Sequence, residues 1–416
     1  MTVATFEEYA RRAYRSVRAQ ALQPLLATLR HGLPLRAGAS IEVVGHFHEA
    51  TGLGESARLC AVALSESGRR VALRDVSRRH ELPFPLAETL PADPHPDCRI
   101  WHLNPPLLPP AALQLGLKAF HGSFNIGYWA WELDRLPPEW IRATRAMDAI
   151  FAPSRFTAEV IAEHAPCPVQ VVPHPIALTQ APQGLRGRLD LPTDAFVTAL
   201  VFNCDSSFER KNPLAAIAAF HAALGEEEDA FLILKTNRLR AAPESLARLA
   251  DAIAGHPRIR IEGELWPAEE IAMVLGEADA YLSLHRSEGF GLTIAEALLR
   301  GTPVVATAYS GNTDLAPPQL YYPVPATQVA VADPHPDFRA LAGTAHWAEP
   351  DVAAASAQLR RIYDDRASAK ARGQAARHYL ATYLGHQTYA HALHQLEAAG
   401  VIARGVHEPD APRRGR

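Results

Sequence analysis

The 416-residue sequence lacks most of the signatures that assign a chain to a function class directly. Its cysteines are few and scattered, without a C-x-x-C pair: Cys60, Cys98, Cys167 and Cys204. This absence indicates neither a disulfide framework nor a zinc motif and favours a reducing compartment. The net charge of −4 gives no basic excess, which argues against a nucleic-acid partner.

Long apolar runs are missing as well. No stretch approaches the roughly 18 apolar residues of a membrane span, and residues 1–10 carry acids where a signal peptide has a basic region. We therefore expect a soluble, cytoplasmic protein. The N-terminal segment, residues 1–38, is predicted to be an amphipathic helix that either contacts a membrane surface or packs on its own domain. Its apolar residues at helical spacing are Phe6, Tyr9, Ala13, Val17, Ala21, Leu25 and Leu29, with Arg11, Arg12, Arg15, Arg18 and Arg30 among them.

Two series of alternating strand and helix patterns follow this segment. They predict an α/β fold with two Rossmann-like domains, each a doubly wound parallel sheet, facing a cleft. We place the first domain at 39–174 and the second at 175–380, because VVPHPIAL at 171–178 contains two prolines that interrupt regular structure. The polar end, 401–416, is predicted to be disordered. Ligands of such sheets bind beyond the carboxyl ends of the strands, in the cleft.

The loop after the first predicted strand carries a G-x-G-x-x-A pattern. Gly52, Gly54 and Ala57 form it, and Asp75 lies 21 positions beyond Gly54, as in a dinucleotide-binding fingerprint. An oxidoreductase is therefore one alternative. Six residues separate Gly45 from Gly52, however, which is longer than the tight turn of a dinucleotide site, so Asp75 is interpreted as a loop acid.

The most informative segment is LSLHRSEGFGLTIAEALLRGTPVVATAYSGNTDL, residues 282–315. It predicts a strand, a glycine turn at 289–291 and a helix that ends at Gly301. Glu288 precedes the helix and Glu296 lies in its second turn. The free amides and positive dipole end of the helix suit phosphate or sugar oxygens, and the carboxylates suit sugar and ribose hydroxyls.

This segment resembles the E-x7-E signature of retaining glycosyltransferases of family 4, which have the GT-B fold. The resemblance covers roughly residues 40–385 and includes AIFAPSRF at 149–156 and VVPHP at 171–175. GYWAWELDRLPPEW at 127–140 is similar to a subgroup of bacterial mannosyltransferases in polysaccharide and lipopolysaccharide assembly. The resemblance also implies a last helix, 381–400, that crosses back to the first domain.

The resemblance assigns roles on the donor side. Arg210 and Lys211, in FNCDSSFERKNP, would clamp the donor diphosphate, and Glu288 would bind hydroxyls of the donor sugar. Glu296 would bind the ribose, and the backbone around Leu265 would contact the base. Backbone amides would come from the glycine turn: Gly289, Phe290, Gly291 and Leu292. The glycines of the first loop, Gly54 among them, would let its backbone approach the donor diphosphate or the acceptor.

The acceptor side is expected on the first domain. His121 and Glu132 flank the predicted strand at 124–129, and both are candidates for contact with the reacting sugar. The family has a histidine near this place, where this chain has Trp131 and Glu132. The tryptophans Trp129, Trp131 and Trp140 are expected either to stack on sugar rings or to pack in the core.

The chain has no Asp-x-Asp motif, so we expect neither a catalytic metal nor another cofactor, and transfer that survives EDTA. The predicted activity is retaining transfer of a hexose, with GDP-mannose as first choice of donor, to a glycan or lipid-linked acceptor. Alternatives are a transferase using UDP-glucose or UDP-GlcNAc, a nucleotide-sugar epimerase, a phosphorylase, and a non-catalytic carbohydrate-binding protein. The oxidoreductase alternative leaves both carboxylates and the basic pair without roles.

Overall fold

The structure, a computed structural model, describes residues 24, 26–28, 34–49, 51–204, 207–237, 243–333, 335 and 337–400. Most of the predicted N-terminal amphipathic helix and all of the predicted tail at 401–416 lie outside the described residues. Within the described part of the chain, no helix combines the length and apolar character needed to cross a membrane.

The first domain contains a six-stranded parallel sheet with the order β2-β1-β3-β4-β5-β6. Its strands are β1 (Ile41–Gly45), β2 (Val71–Asp75), β3 (Cys98–Trp101), β4 (Phe124–Tyr128), β5 (Ala149–Ala152) and β6 (Val169–Val171). Most of these runs are apolar and buried along their length, as parallel strands covered by helices on both faces must be. The register pairs Ile41 with Val71 on one side and with Cys98 on the other.

The helices of the first domain connect these strands in turn. They are α1 (Gly52–Glu66), α2 (Pro85–Thr89), α3 (Leu108–Leu115), α4 (Pro138–Ala143) and α5 (Arg155–Ala162). Two of them begin at hydroxyl caps: the side chain of Thr51 accepts a hydrogen bond from Gly54 N, and that of Ser154 from Thr157 N. Both caps stand at the carboxyl edge of the sheet, where the cleft is.

The second domain contains another six-stranded parallel sheet, with the order β12-β11-β10-β7-β8-β9. Its strands are β7 (Phe196–Asn203), β8 (Ala230–Asn237), β9 (Ile259–Glu262), β10 (Ala280–Ser283), β11 (Val304–Thr307) and β12 (Tyr322–Val324). Its helices are α6 (Leu185–Arg188), α7 (Phe208–Lys211), α8 (Pro213–Leu224), α9 (Pro243–Ile253), α10 (Ala268–Glu277) and α11 (Leu292–Arg300). The strand order reverses direction between β7 and β10, which creates the crevice where doubly wound sheets bind ligands.

The remaining elements join the two domains. An antiparallel pair, β13 (Ala326–Ala330) with β14 (His346–Pro350), follows the second sheet. Trp347 of β14 and Phe338 of the connection between the two strands share a buried cluster with Trp131 of the first domain. Three helices follow: α12 (Val352–Asp364), α13 (Arg366–His386) and α14 (Tyr389–Ala398). The helix that packs on the first domain, α14, begins at Tyr389 and not at 381, because α13 packs on the second domain.

Candidate functional site

The site lies at the switch point of the second sheet. Arg210 and Lys211 are on α7, the short helix after β7, and Glu288 lies in the loop after the neighbouring strand β10. Both loops leave the carboxyl edge of the sheet. The strand order therefore brings together residues that are 77 positions apart in the sequence.

One carboxylate holds both cations of the basic pair. Lys211 Nζ donates to Glu288 Oε1, and Arg210 Nη1 lies 3.1 Å from Glu288 Oε2. The same guanidinium donates to the carbonyl oxygen of Ser287 at 2.9 Å and lies 3.7 Å from Glu132 Oε1 on the first domain. The predicted residues Glu132, Arg210, Lys211 and Glu288 thus form one ion cluster across the cleft.

The two cations differ in their access to solvent. The side chain of Arg210 is 6% exposed and is enclosed by Glu288, Ser287 and Glu132, whereas that of Lys211 is 21% exposed. A ligand in the cleft therefore meets the ammonium group first. The geometry separates the pair into an outer cation, Lys211, and an inner cation, Arg210, that fixes the carboxylates.

The charges of the cluster outweigh burial at Glu288. Burial alone raises the pKa of this carboxyl, but Lys211 and Arg210 lower it to about 2, so the group is ionised at neutral pH. At Glu132 burial prevails, and its pKa rises although the charge of Arg210 opposes the shift. The cluster thus joins a carboxylate whose charge is favoured, Glu288, to one whose charge burial disfavours, Glu132.

The glycine turn presents the N-terminus of α11 to the cleft. Gly291 has φ of 89°, a left-handed conformation that favours glycine, and the helix begins at Leu292. The first-turn amides of a helix have no intrahelical partner and are available to an anion. The turn is fixed from both domains, since Ser154 Oγ donates to Gly289 O at 2.6 Å and Ser310 Oγ accepts from Glu288 N at 2.8 Å. Phe290 is buried, and its ring packs edge-on against His174, so only its backbone is available to a ligand.

Glu296 lies in the second turn of α11, as predicted. Burial raises its pKa to about 7, Arg300 opposes this shift, and the charge of Glu55 near the start of α1 adds to it. Burial is the largest of these effects, so the environment of Glu296 disfavours its charged form.

We expect Glu296 to make folding pH-dependent. Its pKa of about 7 in the folded state exceeds the ordinary value of 4.5, so the folded state holds the proton between these values and stability falls as pH rises through that window. Glu296→Gln should raise Tm at pH 8, on the order of 5 °C, and leave Tm at pH 5 nearly unchanged. Scanning calorimetry at both pH values measures this, with the exposed Glu244→Gln as control. An equal shift at both pH values would contradict it.

Gly54, in the first turn of α1, packs closely against the loop that precedes this helix. A Cβ at this position would overlap the carbonyl oxygen of Glu49 and lie 2.9 Å from that of His46, and the amide of Gly54 is already bound by Thr51. These contacts explain by packing why residue 54 is glycine, and its role in donor binding stays a prediction. Asp75 was predicted to be a loop acid but is the last residue of β2, and it accepts hydrogen bonds from Phe47 N and from Ser77 N and Oγ.

Gly54→Ala should consequently impair folding, whatever it does to activity. The overlap with two carbonyls is expected to cost about 1–3 kcal/mol of stability, as overpacking does. Gly52→Ala is the matched control, because no atom lies within 4 Å of a Cβ at residue 52. Thermal unfolding of the two variants is the measurement. Equal Tm values would contradict the prediction, because they would show that residues 46–49 move aside at little cost in stability.

Several predicted residues lie elsewhere. His121 is exposed and precedes β4 at the amino end of that strand, opposite the cleft, so it does not join the ion cluster. Trp129, Trp131 and Trp140 are at most 3% exposed and pack on one another, which excludes stacking on a sugar in this arrangement. Of the two acceptor-side candidates, only Glu132 joins the ion cluster.

Leu265 lies in the loop after β9, at the same carboxyl edge as the ion cluster. Its side chain is 76% exposed, and Lys235 Nζ donates to the neighbouring carbonyl of Glu264 at 2.7 Å, which anchors this loop. Strand β9 is three strands away from β10, or about 14 Å at the usual strand spacing. The backbone around Leu265 thus lies at the same edge of the sheet as the cluster, two strands beyond the strand β7 that leads to Arg210 and Lys211.

Some residues of the site carry no motif that sequence analysis recognised. His285 is buried, its Nε2 lies 2.9 Å from Asn312 Oδ1, and burial lowers its pKa. Arg155 on the first domain bonds Asp314 on the second at 2.7 Å. His285 and Asn312 lie within the segment 282–315, so their proximity to Glu288 in sequence was the one available signal.

Comparisons with known proteins agree with this geometry. A family model described as "Family 4 Glycosyltransferase in conflict systems" matches residues 155–396, which is more than half of the chain. The chain belongs to glycosyltransferase family 4. This membership confirms the family predicted from the E-x7-E segment and removes the oxidoreductase alternative.

A curated relative of this family 4 protein is D-inositol 3-phosphate glycosyltransferase 1 of Catenulispora acidiphila, 34% identical over 133 residues. That match spans 30% of this chain and 31% of the relative, so about a third of either protein is compared. The mannosyltransferase subgroup predicted from residues 127–140 has no counterpart among these matches.

Solved structures support the fold of the family 4 protein. HepE of Anabaena, in complex with UDP and glucose, superposes with a TM-score of 0.60 at 13% identity, covering 87% of this chain and 98% of HepE. Sucrose-phosphate synthase of Thermosynechococcus elongatus gives 0.60 at 15%, covering 87% and 98%. WaaG, described as a glycosyltransferase of lipopolysaccharide biosynthesis, gives 0.55 at 16%, covering 88% and 100%. The predicted GT-B architecture is therefore confirmed.

Proposed function

We propose that this protein is a retaining glycosyltransferase that moves a hexose from a nucleoside-diphosphate sugar to a glycan or lipid-linked acceptor. The observation that carries the proposal is the ion cluster of Lys211, Arg210 and Glu288 beside the N-terminus of α11. The cluster pairs a cation accessible from the cleft with a helix terminus that donates amides. Together they fit a leaving diphosphate.

In this proposal each residue has a separate task. Lys211 contacts the diphosphate and neutralises the charge that develops as the glycosidic bond breaks, aided by the amides of residues 289–292. Arg210 is a positioning residue that orients Glu288 toward the sugar hydroxyls and holds Glu132 at the acceptor side. Glu296 accepts a hydrogen bond from the ribose, and the backbone near Leu265 contacts the base. The acceptor hydroxyl attacks on the face from which the diphosphate leaves.

The identity of the base and of the sugar in the donor is a more specific part of the proposal. The residues at 127–140 favour GDP-mannose, whereas HepE, in a complex with UDP-glucose, resembles this chain in fold. Thermal shift against GDP, UDP, ADP and NAD separates these possibilities, since stabilisation grows with occupancy. Stabilisation by a nucleoside diphosphate supports the proposal, whereas a response to NAD alone or to none of the four would overturn it. Radiolabel transfer from GDP-mannose and UDP-glucose to a lipid extract then identifies donor and acceptor.

We expect transfer to continue in the presence of EDTA. Lys211 and the amides of α11 supply positive charge at the diphosphate, so the reaction needs no bridging cation there. The measurement is the initial rate of transfer before and after chelation, with and without added Mg²⁺ or Mn²⁺. Complete loss of turnover that only a divalent cation restores would contradict this mechanism.

A further inference from the structure

Three metal-ligating side chains meet at the outer edge of the first sheet. His48 lies in the loop after β1, while Asp75 ends β2 and His80 lies in the loop that follows. One potential ligand atom from each lies within 4.8 Å of the other two. The spacings of 27 and 5 residues match no metal motif, and the sequence predicted no metal site.

A backbone hydrogen bond orients the first imidazole. His48 Nδ1 lies 2.9 Å from the carbonyl oxygen of Leu82, and a carbonyl only accepts, so Nδ1 carries the proton. The lone pair then resides on Nε2, which lies 4.0 Å from Asp75 Oδ2. A carbonyl behind the ring that fixes the tautomer is the outer-shell partner that metal-binding histidines have.

The carboxylate is oriented in a similar way. Its Oδ1 accepts from Phe47 N at 3.2 Å and from Ser77 Oγ at 2.6 Å, and Oδ2 faces His48. Ser77 Oγ also accepts from His48 N at 3.0 Å, so one hydroxyl connects both ligands. The nearby Glu49 is engaged elsewhere, because Arg78 N donates to Oε1 at 2.8 Å and His46 Nδ1 lies 3.3 Å from Oε2.

We propose that His48, Asp75 and His80 bind one Zn²⁺ ion, or a divalent ion of similar ligand preference. Two imidazoles and a carboxylate suit zinc, whereas Mg²⁺ and Ca²⁺ take oxygen ligands. Tetrahedral zinc with bonds of about 2.1 Å places its ligand atoms about 3.4 Å apart, so the ligands draw together by about 1 Å on binding. His80 is exposed in its loop and moves most easily.

The bound ion would connect the loop after β1 to the loop after β2. The first of these loops leads into α1 and contains the carbonyls of His46 and Glu49 against which Gly54 packs. Three protein ligands leave a fourth position for water or for an oxygen of a substrate. The site involves none of the residues of the ion cluster, so it stands independently of the proposed transfer chemistry.

The test uses untagged full-length protein, stripped with a chelator and titrated with Zn²⁺ by calorimetry and with Co²⁺ by visible absorption. We expect one ion per chain and the absorption of a tetrahedral Co²⁺ site. His80→Ala should weaken binding at least about 100-fold, and Ser77→Ala about 10- to 100-fold, because outer-shell partners have effects of that size. His95→Ala, an exposed histidine in the same domain, should leave binding unchanged.

Binding that His80→Ala and His48→Ala both leave unchanged would overturn the proposal, as would equal weakening by His95→Ala or no ion bound at all. Circular dichroism of the metal-free variants verifies that they fold. If His48→Ala does not fold, the result for His80→Ala alone decides the test. His80→Ala also removes this ion without a chelator. Its rate of transfer therefore distinguishes loss of this ion from a metal requirement at the ion cluster.

Discussion

Lys211→Met is expected to lower kcat for transfer about 100- to 1,000-fold, the usual effect of removing one donor to a developing anion. The ammonium group is the outer cation of the cluster and the one that a diphosphate meets first. Arg210 remains bound to Glu288 at 3.1 Å in the variant, so the carboxylate keeps a partner and the fold should survive. The measurement is the initial rate of transfer at saturating donor, together with Tm.

Lys370→Met is the matched control, because that lysine is exposed on α13 away from the cleft. Lys211→Arg keeps the positive charge and should lose less activity than Lys211→Met. Full activity of Lys211→Met would remove this residue from the diphosphate site. A loss of activity with an equally large loss of Tm would instead indicate that Lys211 acts only by stabilising Glu288.

Local sequence predicted the second domain well because its signals are local. The helix Leu292–Arg300 follows the glycine turn and ends at Gly301 as predicted, since glycines bound its apolar periodicity on both sides. The position of Glu288 before a helix and of Glu296 in its second turn followed from the same pattern. One continuous segment of the sequence thus contains both carboxylates and the helix terminus beside them.

Contacts between the domains were not predictable in this way. The antiparallel pair β13–β14 was missed, since ATQVA is largely exposed and its partner strand comes after a long loop. For the tryptophans of residues 129–140, the sequence did not decide between stacking on sugars and packing in the core. Their burial depends on Phe338 and Trp347 from the other domain, which no local pattern connects to them.

Strand direction explains the contrast between His121 and Glu132. Both flank β4, and the amino acid types gave no reason to prefer one. In a parallel sheet only the residues after a strand reach the carboxyl edge, so Glu132 faces Arg210 while His121 lies at the opposite edge. The metal-ligand cluster at His48 was missed for a different reason, because it needs the pairing of β1 with β2 to bring its ligands together.

Arg210→Met is expected to destabilise the protein by about 3–5 kcal/mol, the usual effect of removing one partner of a buried ion pair. The guanidinium is the inner cation, and its loss leaves Glu288 with Lys211 alone and removes the ion pair with Glu132. Methionine preserves much of the volume, so the expected loss reflects charge and hydrogen bonding more than a cavity. Calorimetry should show a fall in Tm on the order of 10 °C.

The double variant Arg210→Met/Glu288→Gln separates this electrostatic cause from a packing defect. Neutralising Glu288 removes the carboxylate that Arg210 otherwise balances, so the double variant should recover part of the lost Tm although neither variant transfers sugar. Recovery means that the two effects are not additive, as expected for residues in direct contact. The opposite result is that adding Glu288→Gln to Arg210→Met lowers Tm by as much as Glu288→Gln lowers it in the otherwise unchanged protein. Arg210 would then act through packing, and its proposed role in orienting Glu288 would be wrong.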